Sequence, residues 1–269
     1  MKNRIDVERG RYWDRAWSLI DGCTPCSPGC DNCWSASMTH RFNFQYTDCV
    51  GKFNGKITTR PDKLLIPLKR KKPTVYAIWN DLFHADVRTT FIDDVFEVIA
   101  ACPRHTFLIL TKRAHLMESK IYGNETTEYF IRVLGGGDYF PNVWHGLTIC
   151  NQQEADEKIP IFLQVPGKKF LSIEPMLGRI DIGKWLPQMV YNPGKTIPER
   201  ETFMVIDAVI CGSETGPGAR PVNLDWIRSL RAQCFMAGVP FFLKHISKKG
   251  GRILDGRTHD DLPWVVKQI

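Results

Sequence analysis

No run of about 18 apolar residues occurs anywhere in the 269-residue chain, so no segment is a candidate for a membrane span. The opening stretch, MKNRIDVERGRYWDRAW, has none of the apolar core that a secretory signal needs. A cytoplasmic, reducing setting is therefore expected. Low-complexity tracts and repeats of fixed period are missing too, which excludes a repeat architecture. Nothing marks a second domain. Residues 1–269 are expected to form one domain with a polar insertion near 188–203, and 43% hydrophobic residues suffice for a sizeable core. Acidic residues are in deficit: 29 Asp and Glu stand against 36 Lys and Arg, for a net charge of +7. That balance favours an anionic partner such as nucleic acid. The densest basic run, Lys69-Arg70-Lys71-Lys72, precedes an apolar segment and reads as a solvated connecting loop or a nucleic-acid patch.

Six short apolar runs read as buried strands: 74–80, 105–111, 143–149, 169–175, 207–213 and 239–245, with WSLID (17–21) as a further one. Most are continuously apolar, as strands covered on both faces are. Amphipathic patterns at 91–103 and 225–238 lie between them. The first stops before Pro103, and Gly238 stands where a helix C-terminal glycine belongs. Strand and helix in alternation imply a parallel α/β sheet, either a partial or complete barrel or an open doubly wound sheet. Polar residues gather at the carboxyl ends of the strands: Asn80-Asp81, Thr111-Lys112-Arg113, Thr148 with Asn151, Glu174, Ser213-Glu214 and Lys244-His245. In both architectures that end holds the ligand.

Cysteine is distributed unevenly. Of nine, five are scattered, and four fall in CTPCSPGCDNCW (23–34) as Cys23, Cys26, Cys30 and Cys33. An odd total and a reducing setting argue for metal binding over disulfides. Three chemistries fit: structural zinc held by four thiolates, an iron–sulfur cluster held by all four, or a cubane held by three with one iron open. Cys26, Cys30 and Cys33 read C-x3-C-x2-C, the spacing of radical S-adenosylmethionine enzymes, although Asn32 stands where an aromatic is common.

WSLIDGCTPCSPGCDNCW, NDLFHADV, LTKR, SIEPMLGRID and CGSETGPGARPVNLDWIRSLRAQCFMAGVPFFLKH together resemble the three-Cys-motif family of phage and prophage proteins, from about residue 12 to 246. The resemblance implies an α/β fold, a partial (β/α)6-type parallel barrel of the radical S-adenosylmethionine kind. It also implies a 4Fe-4S cluster, S-adenosylmethionine as cofactor, and a reducing partner such as flavodoxin or ferredoxin. A phage-encoded member would work in the bacterial host cytoplasm. The family motif G-C-T-x-x-S-P-G-C-x-x-C-Y puts the three ligands on Cys23, Cys30 and Cys33, with Cys26 the alternative third ligand by generic spacing. Trp34 replaces the usual tyrosine. Cofactor contacts are expected from Asn80, Asp81, Thr111, Thr148, Asn151, Glu174, Ser213 and Glu214. Lys112, Arg113, Lys244 and His245 are expected to meet an anionic substrate. His84 reads as a hydrogen-bonded structural histidine or an acid–base group. The function implied is radical modification of a nucleic-acid base, as in phage DNA hypermodification. Lesion repair by the same chemistry and a non-catalytic zinc- or cluster-containing nucleic-acid-binding module are the alternatives, with an electron-transfer protein using all four cysteines as a further rival.

Overall fold

The computed structural model describes residues 6–122, 140–190, 199–200, 204–216, 218–247 and 251–265. Seven strands form its main sheet: β1 (Arg15–Ala16), β2 (Val75–Ile78), β3 (Thr106–Thr111), β4 (Val143–Thr148), β5 (Lys168–Ile173), β6 (Ala208–Gly212) and β7 (Phe241–His245). Every neighbouring pair is parallel, and the spatial order is the chain order. That sequential order excludes the doubly wound alternative, in which the strand order reverses. The sheet curls into a half-barrel, and β1 and β7 remain its two edges.

The first strand differs from expectation. The sheet strand is Arg15–Ala16, and it ends as Trp17 N donates to Ala77 O at 2.8 Å. The chain then leaves the sheet, and Ile20–Asp21 pairs antiparallel with Thr58–Thr59. WSLID is thus the exit from the barrel rather than one of its staves. The other six strands fall where the apolar runs placed them.

Strand residues alternate between two cores. Tyr76, Ile78, Phe107, Ile109 and Leu171 face the helices, while Val75, Ala77, Leu108, Trp144 and Phe170 face the concave side. Helix α1 (Trp34–Phe42) follows the cysteine loop, and α2 (Thr89–Ala100), α3 (Ala114–Tyr122), α4 (Gln152–Phe162) and α5 (Leu224–Met236) complete the set of α-helices among the described residues. In α2 the apolar positions 91, 92, 95, 96, 98 and 99 are all buried, each worth about 1.5–3 kcal/mol of transfer free energy. Asn223 caps α5 by accepting from Asp225 N at 2.9 Å, and Gly238 ends it at φ +62°.

The concave side is plugged at its lower end. Tyr12, Leu262 and Trp264 pack there against the strands, and Trp264 Nε1 donates to Tyr12 O at 2.9 Å. Both sheet faces are therefore covered, which accounts for the continuously apolar strands. In the 188–203 region, Met189–Val190 and Glu199–Arg200 form a short antiparallel pair. Residues 191–198 and 201–203 of that expected insertion lie outside the described residues, as does the stretch between α3 and β4 whose three consecutive glycines, 135–137, read as a break in the sequence. The basic run at 69–72 leads into β2, at the barrel end opposite the cysteines.

Candidate functional site

Above the plug, the upper half of the concave side is a cavity of about 150 Å³. Its wall takes residues from the carboxyl ends of six strands: Asn80 and Asp81, Thr111 to Arg113, Thr148, Glu174, Ser213 with Glu214, and Lys244. Cys23, Cys26, Cys30 and Cys33 form its lip, and all four are free thiols. Two expected contacts are not brought to it. Asn151 caps α4, its Oδ1 accepting from Glu154 N at 2.9 Å, and His245 lies behind the wall.

The cysteine loop is fastened at both ends. At its start, Arg113 Nη2 donates to Thr24 O at 2.7 Å and to Thr24 Oγ1 at 2.6 Å. The same guanidinium pairs with Asp81 Oδ2 through Nη1 at 2.6 Å. Asp81 is itself oriented by Thr111 Oγ1 at 2.7 Å. His84 Nε2 sits 2.7 Å from Thr24 Oγ1, which makes it a structural support of this corner. Asn80 Nδ2 donates to Ile20 O, tying down the segment that feeds the loop. In the middle, Ser27 Oγ caps the turn Pro28–Cys30 by accepting from Gly29 N at 3.1 Å. At the far end, Asn32 Nδ2 donates to Glu214 Oε2 at 2.9 Å and to Gly218 O at 3.0 Å. Arg220 grips Glu214 at 2.5 Å, Pro28 O at 2.8 Å and Asp31 at 3.1 Å. Gly218, at φ +74°, brings its backbone against Asn32, where a Cβ would stand 3.0 Å from Oδ1.

These contacts revise the roles expected of the cations. The guanidinium of Arg113 is committed to Asp81 and Thr24, and both partners of the ion pair are buried. Lys244 Nζ and His245 Nε2 lie 2.7 and 3.2 Å from Glu174 Oε1. Burial pushes the Glu174 carboxyl up, but these two groups outweigh it and hold it at about 2. Ser213 Oγ is 3.0 Å from His245 Nδ1, which completes the chain. Burial likewise opposes ionisation of Glu214, and its bonds from Arg220 and Asn32 still bring it below the usual carboxylate range. Lys112 differs: it lines the cavity, and no acidic partner approaches it among the described residues.

The thiols are not equivalent. The neighbouring Cys26 thiol lowers the Cys30 pKa against the effect of burial, and Lys112 lowers it further. Cys30 beside it, then burial, raise Cys26. Burial, with Asp81, pushes Cys23 up to about 11, opposed by Arg113, whose Nη1 is 4.0 Å from the sulfur. Cys33 is raised mainly by burial. Among the described residues no three His, Cys, Asp or Glu side chains converge on a single-ion site. A loop of soft sulfur donors, one already biased toward thiolate and flanked by cations, fits the donor set of an iron–sulfur cluster.

Several lining residues carry no sequence motif: Tyr12, Trp79 and Ser172. Trp34 and Trp79 meet edge to face at the mouth, with centroids 6.2 Å apart. A period-2 pattern would have marked Ser172 as facing the concave side. No local signal marks Tyr12.

Fold and site together define a class: a seven-stranded parallel α/β half-barrel with a thiol-rimmed cavity at the carboxyl ends of its strands. Within that class, the chain belongs to the family described as Protein of unknown function (DUF5131), whose model matches residues 9–263. No curated protein and no solved structure matches the chain significantly. No described helix is long and apolar enough to cross a membrane.

Proposed function

We propose that the protein is a radical S-adenosylmethionine enzyme acting on a nucleic-acid base, of the three-Cys-motif kind found in phages and prophages. The observation that carries this reading is the convergence of four thiols from one loop on the cavity formed by six polar strand ends. Cys30 and Cys33 belong to either candidate ligand triplet, with Cys23 or Cys26 as the third member. A 4Fe-4S cluster held by Cys30 and Cys33 with that third thiol would supply the electron for reductive cleavage of S-adenosylmethionine.

The chain's own residues hold, orient and shield. Cys30, biased toward thiolate, is the readiest donor, and Lys112 offsets negative charge beside it. The Asp81–Arg113–Thr24 and Glu214–Arg220–Asn32 contacts fix the loop, so that the donors need no reorganisation. Lys112 is the lining cation available to a carboxylate or phosphate. Trp34 and Trp79 narrow the mouth against water. Base modification is the first reading of the outcome and lesion repair the second, both fitted by a basic chain.

The test is anaerobic reconstitution with iron and sulfide, then addition of S-adenosylmethionine and a reductant: dithionite, or flavodoxin or ferredoxin as the physiological kind. The expected result is 5′-deoxyadenosine, lost in Cys30→Ser and Cys33→Ser. A second reading, a closed four-thiolate zinc or cluster module, is favoured by all four thiols sharing the lip. Zinc without labile sulfide in the purified protein, or loss of the centre in both Cys23→Ser and Cys26→Ser, would select it.

A further inference from the structure

Five buried polar atoms lack a hydrogen-bond partner among the described residues: Tyr12 Oη, Tyr76 Oη, His105 Nδ1, His145 Nδ1 and His259 Nε2. Of these residues only Tyr12 borders the cavity. Its phenol is 1% exposed; Ser172, itself a lining residue, is the side chain that approaches its hydroxyl without closing a well-formed hydrogen bond, and the Glu174 carboxylate lies nearby. An unmet buried hydroxyl carries a standing cost, and a fold keeps one where something else supplies the partner. The surroundings indicate what that is. Thr148 and Ser172 are register partners on adjacent strands, and both border the cavity. Their hydroxyls can donate or accept, so they can meet either kind of ring heteroatom. Above them stands Trp79, whose ring packs edge to face with Tyr12 at 5.7 Å and with Trp34 at 6.2 Å. An indole ring and a pair of hydroxyls lining one cavity, with Lys244 Nζ 6.0 Å from the centre of that ring, suit a flat ligand that is apolar on its faces and polar at its edge.

We propose that the cavity floor is a receptor for a heteroaromatic base, with Tyr12, Ser172 and Thr148 reading its edge and Trp79 stacking on its face. This rests on the reading of the cavity given above and deepens it by naming the ligand class. The base has two possible sources, the adenine of the cofactor and a base of a nucleic-acid strand. Helix α1 starts at the lip with Trp34, 42% exposed, and ends on Phe42, 83% exposed, with Phe44 at 75% just beyond it. Neighbouring bases of a strand would find stacking partners there, whereas a free nucleoside would not.

The full chain is titrated by calorimetry with adenosine, S-adenosylhomocysteine and a single-stranded 12-mer oligonucleotide, both cluster-free and reconstituted. Thermal melts of the ligand-free variants run alongside. Tyr12→Phe is expected to melt at or above the wild-type temperature, since it removes an unpartnered hydroxyl. It is expected to bind the preferred probe about three- to thirtyfold more weakly. Trp79→Ala, which removes the stacking face, weakens the same probe about fivefold or more. Tightest binding by the oligonucleotide identifies a strand base, and tightest binding by S-adenosylhomocysteine identifies the cofactor's adenine. The proposal is overturned if none of the three probes binds wild-type protein at millimolar concentration, or if Tyr12→Phe leaves every affinity unchanged. It is equally overturned if Tyr12→Phe lowers the ligand-free melting temperature by several degrees, which would give the hydroxyl a structural partner. Base binding without 5′-deoxyadenosine formation sinks the radical reading alone. Cluster assembly and cofactor cleavage with unchanged Tyr12→Phe affinities sink the base receptor alone.

Discussion

At the scale of single residues, the cavity is built from groups that hold each other before they hold anything else. Asp81 is the clearest case. Its two carboxylate oxygens accept from Thr111 Oγ1 and Arg113 Nη1, and Arg113 then reaches Thr24 at the start of the cysteine loop. Removing one charge from a buried pair leaves the other uncompensated, which typically costs about 3–5 kcal/mol. Asp81→Asn is therefore expected to lower the free energy of unfolding by roughly that amount, read from urea titration, and to slow cluster assembly. Stability within about 0.5 kcal/mol of wild type would show that the pair is dispensable. The presence of Asp81, Thr111 and Arg113 at one mouth was legible from strand-end positions alone. That they satisfy one another was not, because ion pairing depends on distances between loops that sequence spacing does not set. For the same reason Arg113, Lys244 and His245 read as substrate contacts in the sequence and are internal partners in the structure. Asn32 shows the converse. It breaks the aromatic pattern of the cysteine motif, and the structure supplies a reason: its amide bridges Glu214 and Gly218, which an aromatic ring could not do.

At the scale of elements, six of the seven barrel strands were legible because each is short, mostly apolar and ends in polar residues. WSLID misled for a physical reason. Its apolar residues are indeed buried, Trp17, Leu19 and Ile20 among them, but after Trp17 the chain pairs with Thr58–Thr59 rather than with the main sheet. The stretch that follows β6 carries Ser213 and Glu214, both expected to meet the cofactor. It also acts as a strap, carrying Glu214 and Arg220 across to residues 28–32. If the strap sets the geometry of the donors, weakening it alters the cluster without unfolding the barrel. Arg220→Gln is expected to lower the melting temperature less than Asp81→Asn does, because Arg220 is about a third exposed, although it leaves the buried Glu214 carboxylate with Asn32 as its remaining side-chain partner. Oxygen-induced bleaching of the reconstituted cluster is expected to run several-fold faster. Equal bleaching rates would show that the loop holds its shape without the strap.

At the scale of the whole molecule, the buried ionisable groups set how the fold responds to acid. His145 on β4 is fully buried beside Lys169, and burial first, then that ammonium, depress its pKa to about 3. The native state keeps the ring neutral while the unfolded chain protonates it below about pH 6.5. Its contribution to stability is therefore complete above that pH and is lost as pH falls toward 3, at about 1.4 kcal/mol per pH unit. Burial shifts His84, His105 and His259 in the same direction, so they steepen the same limb. Glu174 acts lower. Its native pKa of about 2 lies below its ordinary 4.5, so its ion pairs with Lys244 and His245 stabilise the fold above pH 4.5 and fail as pH drops toward 2. The two limbs overlap between pH 4.5 and 3, where the loss is steepest. Urea midpoints measured from pH 7 to 3 are expected to fall in two stages. His145→Gln should flatten the upper stage, and Glu174→Gln should lower the midpoint above pH 4.5 and flatten the lower stage. A midpoint that stays level from pH 7 to 5 would mean that these histidines titrate alike in both states, and that the neutral, dry setting of His145 is not what the native protein maintains.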